Sequence, residues 1–375
     1  MLTLVIILIL LLVGVLVPKN SKISILGWSY LGWLSVTAPT EYLTSDYNAY
    51  RSAYFDPLSF QGVFEKGYTW LETIGYYFGL SFDQFRAVFA GIVVLSMYLA
   101  VSRFTKNHAL FLSLYIMTFY SQDLIQMRSQ FMMSLVLVAY SCLVGENHKK
   151  ARLIIAVAII MIAAQIHSSG YIFIIGILIY MGSKYIETIA KLSLIISVVL
   201  SLIISVVFKS SIFIYIINIL GRLTDRVEVL NDKLLVLFTD GTAFSLKIWY
   251  FIPLLLAWVI IVSMIYRGNV DKLKFGDNQK YKVLLSGVLV GFLGYSLLSI
   301  APDYSRIFRH GMVFFLILLS AYIERNKNIF SIRVHLSLII LMIPFVYFSF
   351  HSTSITWGPV AKQSPPYLLK IVQDK

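Results

Sequence analysis

The chain of 375 residues is poor in charge and almost without cysteine. Charged residues make up 13% of it and hydrophobic residues 59%, whereas an average soluble domain is about 25% charged. A soluble fold could not bury so much apolar surface. The single cysteine, Cys142, excludes an intramolecular disulfide and any metal site built from several thiolates.

Several catalytic and nucleotide-binding signatures are also missing. There is no Walker A motif, no G-x-S-x-G nucleophile elbow, no H-E-x-x-H zinc motif and no cluster with metal-ligand spacing. We therefore expect no metal and no other cofactor. We also expect no nucleic-acid partner, because the net charge of +13 fits loops that touch anionic lipid.

What the sequence does contain is a series of apolar runs along its whole length. Such runs predict an all-α integral membrane protein, and we expect a single polytopic membrane domain over residues 1–375. Its transmembrane helices, about 12 in number, are predicted at 2–17, 23–38, 86–102, 109–121, 129–145, 152–167, 169–183, 190–208, 247–266, 282–300, 307–323 and 332–350.

The basic residues predict how these helices are oriented. If the loop with Lys19 and Lys22 is cytoplasmic, the other strongly basic loops fall on the same side, as the positive-inside rule requires. Two long extracytoplasmic loops, about 39–85 and 209–246, then lie on the outer face. Both are rich in charged and aromatic residues, so we expect each to fold over the membrane surface.

The arginines that break this charge rule are the candidate functional residues. Arg306, Arg309 and His310 follow Pro302 at a predicted helix start, and their i, i+3, i+4 spacing places them on one side. The free N–H groups of a helix start add partial positive charge. The pattern predicts an anion cradle on the outer face. The alternative is that both arginines snorkel to lipid headgroups.

Two further candidates lie at outer helix ends. Arg128 begins the fifth predicted span, and a guanidinium can bind a phosphate through two parallel hydrogen bonds. His167 lies in a short outer turn, where a neutral imidazole could accept a proton. The alternatives are a snorkelling arginine and a histidine that only packs the turn.

The outer loops carry weaker candidates, because a loop charge is usually solvated. A helix over Ser45–Tyr54 is predicted to lie at the interface, with tyrosines on neighbouring faces. Arg222 and Arg226 share a helical face in the second loop and could bind a second phosphate. The first loop contains Asp46, Arg51, Glu65 and Glu72.

Four stretches of the chain, taken in order, resemble one known family. They are SDYNAYRSAY, VFEKGYTWLETIGYYFGLSFDQF, QMRSQFMMSLVLVAYS and AAQIHSSGYIF. Together they resemble the EpsG family of Wzy-type polysaccharide polymerases, and PDYSRIFRH is similar to its late arginine motif. The chain departs from the family pattern at Ser129, where glutamine is expected, and at Gly170, where alanine is expected. The matching positions are Asp46, Tyr50, Glu65, Gly67, Arg128, His167 and Ser169.

The resemblance implies a GT-C-like polymerase architecture and a glycosyltransferase in the bacterial inner (cytoplasmic) membrane, with its active site facing outside. Glycans on undecaprenyl pyrophosphate would be donor and acceptor, and the product an O-antigen, capsule or exopolysaccharide. Partners would be the lipid bilayer, a Wzz-like chain-length regulator and a Wzx-like flippase. A lipid-linked oligosaccharide flippase, a membrane O-acyltransferase and an O-antigen ligase are the alternatives, and the sugar and its linkage stay open.

The resemblance also implies roles for individual residues. Arg128, Arg306 and Arg309 would stabilise the charge that develops on the pyrophosphate leaving group. His167 is the first candidate for the base that activates the acceptor hydroxyl, and Asp46 is the second. The remaining residues expected to line the substrate site are His310, Arg222, Arg226, Glu65, Tyr50 and Arg51.

Overall fold

The computed structural model describes residues 2–17, 19–37, 45–56, 63–145, 147–208, 244–270 and 279–325, together with 343, 344 and 347. Within these ranges the chain is helical and contains no strand. The α-helices are α1 (Leu2–Leu16), α2 (Ser21–Val36), α3 (Ser45–Phe55), α4 (Lys66–Tyr77), α5 (Phe82–Phe104), α6 (His108–Thr118), α7 (Tyr120–Ile125), α8 (Met127–Cys142), α9 (Lys149–Ile166), α10 (Phe173–Met181), α11 (Ile186–Phe208), α12 (Phe244–Val270), α13 (Gln279–Leu297) and α14 (Ser305–Arg325).

The apolar helices agree with a membrane protein. In the described part of the chain, four segments are long and apolar enough to cross a bilayer: Phe82–Phe104, Ser183–Val206, Lys247–Tyr266 and Pro302–Arg325. Each predicted span up to 307–323 overlaps a helix. The span at 332–350 lies almost wholly outside the described residues. The total of twelve crossings therefore stays a prediction.

One predicted span is interrupted. The run at 109–121 divides into α6 and α7, with the break at Phe119. The hydroxyl of Thr118 donates to the carbonyl of Leu114 at 2.7 Å, a contact that often bends a helix. The short α7 follows this break, and it carries Asp123.

The core is centred on α14, which is buried along almost its whole length. It packs most closely against α13, and their backbones touch where Gly291 faces Gly311. A Cβ added to Gly311 would lie 2.1 Å from the Cα of Gly291, so only glycine fits at this crossing. α14 also contacts α5 and α6, and Ser305, Ile307 and Phe308 in its N-terminal turn are buried.

The described part of the first long predicted loop packs through aromatic side chains. The predicted helix over Ser45–Tyr54 is confirmed as α3, and its Tyr50 packs against Tyr68 of α4 with ring centroids 5.8 Å apart. At the start of α4, a Cβ added to Gly67 would lie 2.7 Å from the carbonyl oxygen of Gln165. This close approach brings the start of α4 beside the end of α9.

Candidate active site

Four charged or titratable side chains meet from four different elements, and we call them the outer cluster. Glu65 immediately precedes α4, Arg128 lies in the first turn of α8, His167 follows the last residue of α9, and Arg306 lies in the first turn of α14. Sequence analysis named each of these residues. The structure brings them together through direct hydrogen bonds.

Glu65 is the carboxylate of the outer cluster, and both of its oxygens are bonded. Oε2 accepts from Nη1 of Arg128 at 2.5 Å, and Oε1 accepts from the N–H of Ser168 at 2.9 Å. Burial alone would raise the pKa of Glu65, but the guanidinium of Arg128 and the N–H of Ser168 hold it below its usual value. Glu65 is therefore a carboxylate at neutral pH.

Arg128 is held in an aromatic cage. Its guanidinium carbon lies 4.2 Å from the ring centroid of Phe64, 5.3 Å from that of Tyr50 and 5.4 Å from that of Tyr68. Such contacts attract the cation to the ring faces. Nε of Arg128 is buried and has no hydrogen-bond partner among the described residues. The group is thus fixed in place and still has a donor to offer.

His167 contacts the second arginine. Nη1 of Arg306 lies 3.0 Å from Nε2 of His167, and because arginine can only donate, Nε2 must accept. We therefore assign the proton to Nδ1, which then donates to Oγ of Ser169 at 2.8 Å; in this tautomer the longer approach of the Ser169 N–H to Nδ1, at 3.3 Å, is not a hydrogen bond. Burial, with Arg128 and Arg306 nearby, lowers the pKa of His167 to about 3. The imidazole is therefore neutral, and its free lone pair orients Arg306.

Arg306 is the more accessible arginine of the outer cluster. Its side chain is 21% exposed, against 11% for Arg128. It also lies 3.8 Å from the carboxylate of Asp303, whose side chain is 78% exposed. A pair so open to solvent contributes little to stability. Arg306 is therefore available to an anion that arrives from solution or from the headgroup layer.

Arg309 and His310 belong to a second group, which we call the inner cluster, with Asp123 and Gln126. Nη2 of Arg309 donates to Oε1 of Gln126 at 2.5 Å. Nη1 of Arg309 and Nε2 of His310 each lie 3.8 Å from Oδ1 of Asp123. The hydroxyl of Tyr115 donates to Oδ2 of Asp123 at 2.9 Å. The cluster ties α14 to α7 and to the start of α8.

The structure thus divides the residues that the sequence placed in one cradle. Arg306 reaches His167, whereas Arg309 has a side-chain exposure of 0% and faces Asp123. One helical turn separates the two arginines, and neighbouring elements take each of them in a different direction.

The other predicted residues are placed as follows. Tyr50 lines the cage around Arg128. Asp46 is half-buried one helical turn before Tyr50, and Arg51 is exposed. Neither of these two joins the outer cluster. Arg222 and Arg226 lie outside the described residues.

Asp123 and Gln126 are the site residues that sequence analysis missed. A signal was present, because Asp123 is an acid within an otherwise apolar and aromatic stretch. An ionisable residue at such a position usually has a functional or pairing role. The N–H of Ser168, which binds Glu65, has no signature in the sequence because it is a backbone group.

The described helices are those of a membrane protein, and two clusters of buried or half-buried polar side chains form around its arginines. A model of the EpsG family matches residues 30–367, and the chain belongs to this family of Wzy-type polysaccharide polymerases. The family resemblance seen in the sequence is therefore confirmed. No curated protein and no solved structure matches the chain.

Proposed function

We propose that the protein is a membrane glycosyltransferase that joins undecaprenyl-pyrophosphate-linked repeat units into a surface polysaccharide. Its family supports the polymerase class. The observation that carries the substrate class is that Arg128 and Arg306, each in the first turn of its helix, bond to Glu65 and to His167, and that the N–H of Ser168, next to His167, donates to Glu65. Guanidinium groups at helix starts are suited to a pyrophosphate.

In the proposed reaction, an acceptor hydroxyl attacks the anomeric carbon of the donor's reducing-end sugar. The bond from that carbon to the phosphate oxygen breaks, and the electron pair leaves with undecaprenyl pyrophosphate. Arg128 and Arg306 neutralise the developing charge. Donors fixed in advance lower the barrier because they need not reorganise during the reaction.

The residues behind the two arginines act by positioning. His167 accepts from Arg306 and fixes its orientation. Arg309 holds Gln126, the residue directly before α8, and thereby the helix start that carries Arg128. We therefore assign pyrophosphate contact to Arg128 and Arg306 and a supporting role to Arg309 and His310.

The outer-face location is part of the proposal. It is supported by the basic loops, which gather on the opposite side of the predicted topology. A Wzx-like flippase would supply the lipid-linked units to that face, and a Wzz-like regulator would limit the length of the product.

The test replaces Arg128 and Arg306 together by lysine, which keeps the charge and removes the planar fork. We expect the purified variant to lose about 100-fold or more of its polymerisation rate, since single donors to a developing oxyanion contribute about that much. The readout is the ladder of products formed from a lipid-linked repeat unit.

The matched control is Arg103→Lys, an exposed arginine at the far end of α5. It should leave the ladder unchanged. A normal ladder from the double lysine variant would contradict the proposal. Transfer of single units to another acceptor, with no ladder from wild type, would indicate a ligase.

A further inference from the structure

We propose that Glu65 is the base of this reaction and that the donor's pyrophosphate releases it by taking its place on Arg128. The inference rests on the proposed function and deepens it by assigning the proton acceptor. Glu65 is bonded to the arginine that is expected to bind pyrophosphate, yet a carboxylate repels that ligand.

Glu65 bonds to a donor of Arg128 that a phosphate would use. Nη1 of Arg128 is bonded to Glu65 at 2.5 Å, and the side chains of both residues are nearly buried. Carboxylate and phosphate bind a guanidinium through the same geometry, but a pyrophosphate carries more charge. The incoming ligand therefore competes for Arg128 and has the electrostatic advantage.

The aromatic cage decides which partner moves. Arg128 is surrounded by the rings of Tyr50, Phe64 and Tyr68, so its guanidinium cannot follow a displaced Glu65. Within the described part of the chain its buried Nε has no partner, and it would supply a second donor to the arriving phosphate. The exchange thus takes place around a fixed cation.

Displacement changes the chemistry of Glu65. Its Oε1 keeps the bond to the N–H of Ser168, which holds the carboxylate beside the turn of His167. Its Oε2 becomes free once Arg128 binds phosphate. Losing the contact with a cation raises the pKa of a carboxylate, so Glu65 becomes a stronger base when the donor is bound.

The other two candidate bases are less well placed. Nε2 of His167 is occupied by Arg306, and two nearby guanidinium groups disfavour a third positive charge. Asp46 lies a helical turn before Tyr50, and no described contact joins it to either arginine of the outer cluster. Glu65 combines a negative charge with a position in direct contact with the anion site.

The proton balance is complete without a further reactant. The acceptor hydroxyl forms its bond to the anomeric carbon while its proton passes to Oε2 of Glu65. The bond from the anomeric carbon to the phosphate oxygen breaks, and the leaving group takes that electron pair to Arg128 and Arg306. Glu65 then loses the proton to water and returns to Arg128 as the product departs.

The test measures turnover and ligand binding separately in Glu65→Gln. We expect turnover to fall about 100- to 10,000-fold, the usual contribution of a general base. We expect undecaprenyl pyrophosphate, used alone as the probe, to bind as tightly as to wild type or more tightly. A neutral amide competes less well than a carboxylate for Arg128.

The matched control is Glu72→Gln. It removes a carboxyl group from the same helix, and Glu72 forms no salt bridge among the described residues. Both its turnover and its binding of undecaprenyl pyrophosphate should stay close to wild type. Thermal unfolding of each purified variant shows whether it is folded.

The possible outcomes are distinct. Normal turnover in Glu65→Gln overturns the assignment of the base, and joint loss of turnover and binding overturns the exchange. If Glu65→Gln does not fold, Glu65→Asp replaces it: slower turnover with binding retained supports the inference, and weaker binding overturns it. Failure of wild type to bind undecaprenyl pyrophosphate would instead remove the proposed function itself.

Discussion

The outer and inner clusters contain the same chemical groups but have different roles. Each joins arginine, a carboxylate and histidine, and each takes an arginine from the N-terminal part of α14. In the outer cluster the arginine–carboxylate contact is 2.5 Å and Arg306 is 21% exposed. In the inner cluster the contact is 3.8 Å and Arg309 is sealed.

The difference is one of access. An ion pair that a ligand can reach is able to exchange its partner, whereas a sealed pair can only hold the helices that carry it. Removing one partner of a sealed pair leaves a buried charge uncompensated and therefore lowers the free energy of unfolding. The following predictions address this contrast.

The largest effect is expected for Asp123→Asn. It leaves Arg309 without its counterion, which should cost about 3–5 kcal/mol of unfolding free energy. Thermal unfolding in detergent and the amount of protein in the membrane would measure it. Asp303→Asn, which removes an exposed partner of Arg306, is the control and should change stability little.

A double variant sharpens the same comparison. Replacing Asp123 by leucine and Arg309 by methionine removes both charges together, and much of the lost stability should return. If Arg309 only positions Gln126, this variant should still polymerise at a reduced rate. Complete inactivity in a well-folded double variant would restore Arg309 as a pyrophosphate ligand.

An intermediate effect is expected for His167→Gln. The side-chain oxygen of glutamine can accept from Arg306, so most activity should remain, within about 10-fold of wild type. With a pKa of about 3, the imidazole is neutral at every pH above that value. Its protonation therefore cannot cause a fall in rate between about pH 8 and about pH 5.

A rate measurement across that pH range decides the role of His167. A fall in wild-type rate near pH 6.5, about the usual pKa of a free imidazole, that disappears in His167→Gln would restore His167 as the base. A fall that persists in His167→Gln and is lost from the residual activity of Glu65→Gln would agree with the carboxylate.

The smallest effect concerns Glu72, a buried acid outside both clusters. Burial raises its pKa to about 8, so the folded protein holds it protonated at neutral pH. The unfolded chain ionises at the ordinary, lower pKa. Stability is therefore fully present below that lower value and is lost as pH rises towards about 8.

Glu72→Gln should remove this loss. Thermal unfolding should show that wild type and variant are equally stable at about pH 4 and that the variant is the more stable at about pH 8. A difference that does not grow with pH would show that the carboxyl is already ionised in the folded protein.

Much of the helical framework could be predicted, because apolar runs determine it. The predicted span 86–102 lies inside α5, and 190–208 lies inside α11. The predicted span begins later than α5 itself, because the first turn of the helix contains polar residues and follows a polar cap. At α5, Ser81 and Gln84 form a capping box that precedes the apolar run.

The pairings within the clusters could not be predicted from one sequence. Glu65 and Arg128 are 63 positions apart, and His167 and Arg306 are 139 apart. Helical spacing correctly makes Arg306 and Arg309 neighbours on α14. Which partner each one meets depends on the break at Phe119, which brings Asp123 to Arg309, and no local pattern encodes that meeting.

The contact between Gly291 and Gly311 has a consequence for how the protein meets lipids of different length. Backbones in direct contact leave no room for α14 to slide along α13. A thicker or thinner bilayer must therefore be accommodated by tilting the pair or by deforming the lipid. The position of Arg306 along the membrane normal, relative to the side chains around it, is then set by the protein and does not depend on the length of the acyl chains.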